Sequence, residues 1–297
     1  MLIMVKKYVV ASLPLLILFM VNLTSCSIFD PPVVVPCYGH IDSISYSYLS
    51  ENSTYASIQD AWVYLDDNPV GAFQIPCTFP MIGSDGVHQI KIYPGVKEGG
   101  VSSASAIYPL YTYYTGYITM KQNTVVKLNG AKVTYASFAK FPWTEDFESP
   151  ISSVRKVFGS NVIMTVTRTP DTALPGATVF QGHQCGIVEL NATNPTFIGR
   201  SDSITLPHDG ATPVWLEINY NSNNIFSVGL LGQDTLNYLP VVYLYPSNGS
   251  WNKIYIPLES TIAPAGVSQE PFSVYFQMYN TAGVKSVLLL DNIKLVY

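Results

Sequence analysis

Charged side chains are scarce in this 297-residue chain, where Asp, Glu, Lys and Arg together make up 12% of the residues. That is about half the share of an average soluble protein. Nucleic-acid binding requires clustered Lys and Arg side chains to neutralise phosphates, and the sequence contains no such cluster. We therefore expect no nucleic-acid partner. After residue 26, no segment is long and apolar enough to cross a bilayer as a helix.

Motifs of catalysis are also missing. The chain has no Gly-x-Ser-x-Gly, no His-Glu-x-x-His and no glycine-rich phosphate loop. His183 and Cys185 share one face of a predicted strand, but no residue that could orient them is evident. To act as a glycosidase pair, the carboxylates of Glu145 and Glu148 would need to lie about 5–10 Å apart. The sequence does not determine this distance. We therefore predict a non-catalytic protein with no catalytic residues, and a relative of glycoside hydrolases is the weakest alternative.

The first 26 residues have the layout of an export signal. Lys6 and Lys7 precede an apolar segment, Tyr8 to Val21, whose roughly 14 residues are too few to span about 30 Å of hydrocarbon comfortably. The segment ends at Leu23-Thr24-Ser25-Cys26. This stretch resembles a bacterial lipoprotein signal, which implies removal of residues 1–25 and acylation of Cys26 by palmitate and related chains.

Two or three acyl chains would hold the protein stably on a membrane. The residue after the cysteine is Ser27. In Gram-negative lipoproteins, Asp at this position favours retention at the inner membrane. By analogy, Ser27 implies the outer membrane, on its periplasmic or cell-surface face. A plain secretory peptide and an uncleaved anchor are the alternatives.

Three cysteines remain after Cys26. They form no CxxC motif and no Cys–His pair at ligand spacing, so we expect no zinc site. Export permits disulfides, and Cys37 and Cys77 fall within one predicted domain. A Cys37–Cys77 bridge is one interpretation, and three free thiols, including Cys185, are the other.

The body of the chain has the composition of β-structure. Removal of the signal leaves about 272 residues with a net charge of about −7, more than one typical domain. Tyr, Thr, Ser, Val and Ile predominate, and these residues suit pleated strands. We predict an all-β fold with a proline-rich tether over 26–36, a small β-sandwich over 37–137 and a larger one over 138–297.

The smaller predicted domain resembles the PEGA-like, immunoglobulin-like modules of bacterial envelope proteins. The matching residues are Val63-Tyr64-Leu65-Asp66, Gly71, Pro76, Pro80, Gly86 and His88. The resemblance implies an immunoglobulin-like sandwich without a catalytic role, in which His88 is structural.

The larger predicted domain contains eight short strands at spacings near ten residues, which is typical of a sandwich or jelly roll. Its opening Asp146-Phe147-Glu148 and its closing 288–295 resemble the first and last strands of galactose-binding-like and carbohydrate-binding-module jelly rolls. That resemblance implies a structural Ca²⁺ held by Glu148, Asp291 and backbone carbonyls. The alternative is that both carboxylates satisfy local backbone groups.

The arrangement as a whole resembles two-domain envelope lipoproteins of Bacteroidota. The segments that carry the resemblance are 214–220, 251–256 and 290–295. It implies a surface protein and leaves the ligand open.

A candidate binding surface follows from strand alternation. Val214, Leu216, Ile218 and Tyr220 share one strand face, and Trp215, Glu217 and Asn219 share the other. Trp251, Lys253 and Tyr255 form a similar set on a second strand. An aromatic ring beside polar groups suits a sugar, so Trp215, Glu217, Asn219, Trp251 and Tyr255 are the candidate ligand residues. The alternative is that loops cover both tryptophans.

These features support one leading hypothesis, a non-catalytic envelope lipoprotein that presents a β-sandwich surface to a glycan. The rival hypothesis is an accessory subunit that docks protein in an envelope secretion or surface-assembly complex. A sugar site requires exposed aromatic rings with polar neighbours, whereas docking requires a broad apolar patch.

Overall fold

The computed structural model describes residues 35–49, 51, 55–232, 238–247, 249–265, 271–280 and 283–297. The predicted signal, the acylation site Cys26 and most of the predicted tether lie outside these residues. Within them the chain is almost entirely β-structure, which confirms the predicted fold class. A single α-helix, α1 (Glu259–Ala265), occurs in the described part, and no helix there has the length and hydropathy to cross a membrane.

The first ten strands build a small sandwich, the N-terminal sandwich. One sheet has the order β4-β3-β6-β7 with β8 also paired to β6, the other has the order β5-β1-β9, and β2 pairs with β10. The strands are β1 (Cys37–Ile41), β2 (Ser45–Tyr46), β3 (Asp60–Leu65), β4 (Asn68–Gln74), β5 (Cys77–Met81), β6 (Gly86–Lys97), β7 (Ser105–Ile107), β8 (Tyr114–Met120), β9 (Val125–Lys127) and β10 (Lys132–Val133).

The remaining strands build the larger C-terminal sandwich. Its six-stranded sheet has the order β13-β14-β21-β16-β19 with β11 also on β21, and its five-stranded sheet has the order β12-β15-β20-β17-β18. The strands are β11 (Trp143–Glu145), β12 (Arg155–Lys156), β13 (Thr165–Thr167), β14 (Cys185–Leu190), β15 (Thr196–Arg200), β16 (Trp215–Ser222), β17 (Phe226–Leu231), β18 (Tyr238–Leu244), β19 (Asn252–Pro257), β20 (Ser273–Tyr279) and β21 (Ser286–Val296). The predicted boundary at residue 138 falls between β10 and β11.

The core of the C-terminal sandwich follows the predicted alternation. Leu216, Ile218 and Tyr220 of β16 pack with Val228 of β17 and Phe276 of β20 in one apolar cluster. Side chains alternate along a strand, so the other face of β16 must point away from this core. Every residue of β16 and β21 is nevertheless buried. The outer face of the six-stranded sheet is therefore covered along β16 and β21 as well.

The hairpin of β3 and β4 closes through a two-residue turn. Asp66 and Asp67 make this turn and have φ values of 47° and 63°. Asn68 and Pro69 open β4. Adjacent residues with positive φ form the turn that matches the twist of a hairpin, and Asp tolerates this conformation better than most residues.

The predicted Cys37–Cys77 disulfide is wrong. β1 and β5 pair antiparallel with Cys37 opposite Met81 and Ile41 opposite Cys77. The two cysteines are thus offset by four residues, about 13 Å along the strand pair, whereas bridged Cα atoms lie about 4.4–6.8 Å apart. Both thiols are free, as is Cys185.

Candidate functional site

The predicted sugar surface lies in the interface between the two sandwiches. Trp215 is 3% exposed and Tyr255 is 1% exposed, and both pack into the apolar cluster of the N-terminal sandwich together with Val296. The ring of Tyr108 meets Trp215 edge-on with centroids 5.1 Å apart and meets Tyr255 at 4.9 Å. A glycan cannot stack on rings that another part of the chain already covers.

Glu217 is the polar centre of this interface. Its carboxylate is fully buried, and Oε1 accepts hydrogen bonds of 2.6 Å from the hydroxyls of both Tyr108 and Tyr135. Oε2 lies 2.7 Å from Nζ of Lys253. The strand register explains why Glu217 lies close to both lysines. Glu217 lies opposite Lys294 of β21, and Asn219, the next residue on the same face of β16, lies opposite Lys253 of β19.

Opposing effects set the pKa of Glu217. Burial by itself raises the pKa, but the ammonium groups of Lys253 and Lys294 and the Tyr108 hydroxyl outweigh it, so the pKa lies below its ordinary value. Burial also raises the pKa of Tyr108 well above its ordinary value, and the nearby Glu217 carboxylate adds to the rise. The tyrosines therefore remain neutral donors to an ionised carboxylate.

Further bonds join the two sandwiches around this centre. Nζ of Lys294 donates to Oε1 of Glu51 over 2.5 Å. The hydroxyl of Tyr46 donates to Oε2 of the same Glu51 over 2.7 Å. The backbone N–H of Gly99 donates to the carbonyl of Tyr255 over 2.8 Å. Because these contacts are both polar and buried, they fix the relative orientation of the sandwiches more sharply than apolar packing alone would.

The other two candidate residues are engaged within the chain, Trp251 half-buried and Asn219 buried. Nε1 of Trp251 donates to the carbonyl of Thr178 over 2.7 Å, and its ring packs against Phe180. Asn219 is buried, and its Oδ1 lies 3.4 Å from Nδ2 of Asn292. The structure therefore brings the predicted residues to one sheet face, but the exposed platform that the prediction required is absent.

Glu148 and Asp291, predicted as calcium ligands, do lie near each other, Glu148 just after β11 and Asp291 in the middle of β21. Oε1 of Glu148 accepts the backbone N–H groups of His183 and Gln184. Asp291 accepts those of Gln181 and Asn292. Among the described residues no three His, Cys, Asp or Glu side chains are placed to hold a metal. These hydrogen bonds are those of the alternative, in which both carboxylates anchor the loop before β14.

Asp291 gives this end of the sandwich a pH dependence. Burial raises its pKa to about 7, the charges of Glu148 and Asp146 add to the rise, and two backbone N–H groups oppose it. A folded-state pKa above the unfolded value favours the protonated form on folding. We expect the free energy of unfolding to fall as pH rises from about 4 to about 7 and to level off above that.

Urea unfolding between pH 4 and 8 measures this slope. Asp291→Asn should flatten it, because the titrating group is gone, and added CaCl₂ should leave it unchanged. An equal slope in the variant, or a calcium-dependent gain in stability, would contradict this account of the carboxylates.

A different face of the C-terminal sandwich presents aromatic rings to solvent. On the outer side of the five-stranded sheet, Tyr243, Tyr245 and Tyr279 are 62%, 68% and 48% exposed. Nε2 of Gln277 donates to the hydroxyl of Tyr279 over 2.5 Å. We call these four residues the tyrosine face. It was not predicted, although the i, i+2 spacing of Tyr243 and Tyr245 on a predicted strand already placed both on one side of the sheet.

The sheet register explains how the tyrosine face is assembled. Ser227 of β17 lies between Tyr243 of β18 and Gln277 of β20, so an aromatic ring, a hydroxyl and an amide form one row across three strands. Tyr275 of β20 lies two residues from Gln277 on the same face and is itself buried, which raises its pKa to about 12. The tyrosine face thus places exposed rings and hydrogen-bonding groups beside a buried tyrosine.

No protein-family model matches the chain. No curated protein matches it either. Similar solved structures include the K3 cleaved adhesin domain of Lys-gingipain from Porphyromonas gingivalis, at 16% identity and a TM-score of 0.36 over 53% of this chain and 98% of that one. A carbohydrate-binding module of the β-sandwich superfamily has 14% identity and a TM-score of 0.37 over 80% and 84%. The CBM22-1 xylan-binding domain of Paenibacillus barcinonensis Xyn10C has 14% identity and a TM-score of 0.36 over 54% and 96%.

Proposed function

We propose that the chain is a non-catalytic, carbohydrate-binding lipoprotein of the bacterial cell envelope, and that the tyrosine face is its glycan-binding surface. The observation that carries this proposal is the exposure of Tyr243, Tyr245 and Tyr279 beside the Gln277 amide on one sheet face. The apolar C–H face of a pyranose packs on an aromatic ring, while its hydroxyls need nearby donors and acceptors. The tyrosine face supplies both.

A rigid surface favours this function. Tyr243 and Tyr279 lie on the paired strands β18 and β20, Tyr245 directly follows β18, and Tyr275 on the same face packs against Tyr238 with ring centroids 5.3 Å apart. Binding then orders few side chains, so less of the interaction free energy is lost to entropy.

Replacement of Tyr243 and Tyr245 by Ala should weaken glycan binding by at least tenfold, since each exposed ring contributes about 1 kcal/mol or more of stacking. The measurement is affinity electrophoresis or a glycan array with soluble chain lacking residues 1–25. Tyr117→Ala is the matched control, because Tyr117 is an equally exposed tyrosine on β8 of the other sandwich. Equal losses in both variants, or no glycan binding by the parent protein, would contradict the proposal.

Anchoring at Cys26 is the second part of the proposal, and it is supported by the sequence Leu23-Thr24-Ser25-Cys26 after a short apolar segment. In a bacterial host, Cys26→Ser should abolish incorporation of an alkyne-labelled palmitate and release the protein from the membrane fraction. We also propose an outer-membrane location, from the resemblance to a lipoprotein signal followed by Ser27, and a Bacteroidota-type origin, from the resemblance of segments 214–220, 251–256 and 290–295. A chain that retains residues 1–25, or a bare Cys26 thiol in the native protein, would contradict it.

The rival function is protein docking as an accessory subunit of an envelope complex. The face of β16 that carries Trp215 and Glu217 offers no docking surface, because it is already occupied within the chain. The exposed tyrosines are interspersed with polar groups and do not form a broad apolar patch, which favours a sugar over a protein partner.

A further inference from the structure

Arg200 borders the tyrosine face on the same side of the five-stranded sheet. It is the last residue of β15 and lies opposite Tyr275 of β20. Residues directly opposite each other on paired strands share a face, and so do residues two apart on one strand. The Arg200 side chain therefore leaves the sheet on the side of Tyr275, Gln277 and Tyr279. The proposed glycan-binding surface has a cationic group at this border.

The Arg200 guanidinium is held by hydroxyl groups. Nη1 donates to Oγ of Ser273 over 3.0 Å and to Oγ of Ser203 over 3.4 Å. In the described part of the chain, Nε and Nη2 have no hydrogen-bond partner, and neither atom is enclosed by protein. Arg200 as a whole is half-buried. Two N–H groups of a positively charged side chain thus remain accessible to a ligand.

A neighbouring arginine shows what the free edge of Arg200 can hold. Arg155 of β12 lies opposite Arg200, and its Nε and Nη2 donate to the two carboxylate oxygens of Asp202 over 2.5 and 3.1 Å. A guanidinium presents these two groups as a planar fork that fits both oxygens of one acidic group. Asp202 fills the fork of Arg155, whereas the same fork of Arg200 is open.

One carboxylate serves both arginines at this border. Hydrogen bonding to Arg155 lowers the pKa of Asp202, and the charges of Arg155 and Arg200 add to this effect, although burial opposes it. Among the described residues, no carboxylate forms an ion pair with Arg200. Two positive charges therefore face one negative charge. The adjacent row of the sheet adds no charge, since it consists of Ile198, Gln277, Ser227 and Tyr243.

The open fork lies within reach of a glycan that packs on the exposed tyrosines. Tyr243 lies three strands from β15, and Arg200 lies two residues along β15 from the row that contains Tyr243. At about 4.8 Å per strand and about 3.3 Å per residue, the Cα atoms of Arg200 and Tyr243 lie about 16 Å apart. An oligosaccharide of several units spans this distance, so one chain can contact both residues.

We propose that the tyrosine face binds an acidic glycan, whose carboxylate or sulfate group occupies the open fork of Arg200 while other sugar units pack on the tyrosines. This inference rests on the proposed glycan-binding function and adds the class of glycan. A hydrogen bond between charged groups is about twice as strong as one between neutral groups. Because Ser203 and Ser273 already hold Nη1, binding orders little of the Arg200 side chain.

Calorimetric titration at low salt with an oligogalacturonate and with its methyl ester tests the inference, because the ester keeps the sugar chain and removes the charge. The soluble chain lacking residues 1–25 should bind the acid at least tenfold more tightly than the ester. A sulfated galactan and the unsulfated galactan form the matching pair for a sulfate group. The pair with the larger preference identifies the acidic group.

Two substitutions should remove this preference by different routes. Arg200→Gln removes the fork, and Ser203→Asp supplies a counter-ion beside Nη1 of Arg200. Each should reduce the ratio of the acid affinity to the ester affinity to about twofold or less. Ser203 is exposed, so Ser203→Asp should keep the thermal stability of the parent.

Two control variants should keep the preference of the parent. Ser203→Asn has a side chain of similar size to Asp and adds no charge. Arg168→Gln removes one positive charge from an exposed residue that follows β13 of the opposite sheet. Equal effects of Arg200→Gln and Arg168→Gln, or of Ser203→Asp and Ser203→Asn, would overturn the inference.

Failure of the inference and failure of the proposed function give different results. If the parent binds the charged and the uncharged glycans equally, the tyrosine face is a glycan site but Arg200 does not select for acids. If the parent binds none of the four glycans, both proposals are wrong. The Tyr243→Ala, Tyr245→Ala variant should lose acid and ester binding alike, because both ligands pack on the same rings.

Discussion

Replacement of Glu217 by Gln should lower the free energy of unfolding by about 3–5 kcal/mol, because it leaves a buried lysine without its counter-ion. Lys253 is the partner, at 2.7 Å, and its side chain is 5% exposed. The Gln amide keeps an oxygen for Tyr108 and Tyr135, so the expected loss arises from charge and not from packing. Urea unfolding followed by tyrosine and tryptophan fluorescence measures it.

Glu189 provides the matched control. It pairs with Lys285 at the surface, where both side chains are about half exposed. Solvent-exposed pairs contribute about 0–1 kcal/mol, so Glu189→Gln should be nearly neutral. A similar small effect of both substitutions would mean that the interface around Glu217 is open to water.

The effect of Glu217→Gln should also depend on pH. The pKa of Glu217 in the folded protein lies below its ordinary value of 4.5, so its contribution is present above that value and is lost as pH falls through the folded-state pKa. The difference in stability between parent and variant should therefore narrow below about pH 4. A constant difference from pH 3 to 8 would exclude the ionised carboxylate as its source.

The second large effect concerns Trp215. Replacement by Ala should cost about 3–5 kcal/mol of unfolding free energy, the usual cost of removing a buried aromatic side chain. The ring is 3% exposed and packs against Tyr108 of the other sandwich. Glycan binding at the tyrosine face should persist under conditions where the variant is still folded.

This experiment separates two roles for the same residue. If Trp215 were a sugar platform, Trp215→Ala would abolish glycan binding and leave stability almost unchanged. The structure leads us to expect the reverse. Tyr243→Ala should show the complementary pattern, since Tyr243 is exposed and its removal leaves no cavity.

Local pattern was sufficient to predict most of the architecture. Alternation on β16 correctly assigned Leu216, Ile218 and Tyr220 to the core. Short strands with few apolar residues, such as β12 (Arg155–Lys156), were not predicted. Two residues are too few to show the alternation of apolar and polar side chains that indicates a strand.

The function of the opposite face of β16 could not be predicted from local pattern. The sequence around Trp215 and Glu217 would be the same whether these side chains faced a sugar or another part of the chain. Their burial depends on Tyr108 and Tyr135, which lie 109 and 82 residues from Glu217 in sequence. Contacts at such separations leave no periodic trace. The carboxylate with two tyrosine donors is recognisable only once the sheets are assembled.

Differential scanning calorimetry of the soluble chain tests the central claim, that the two sandwiches form one unit through the interface around Glu217 and Trp215. We expect a single transition whose calorimetric and van't Hoff enthalpies agree, with about 0.7 kcal/mol per residue near 60 °C over both sandwiches together. Two separate transitions, each with the enthalpy of one sandwich, would contradict the claim and leave the face of β16 accessible in an intermediate.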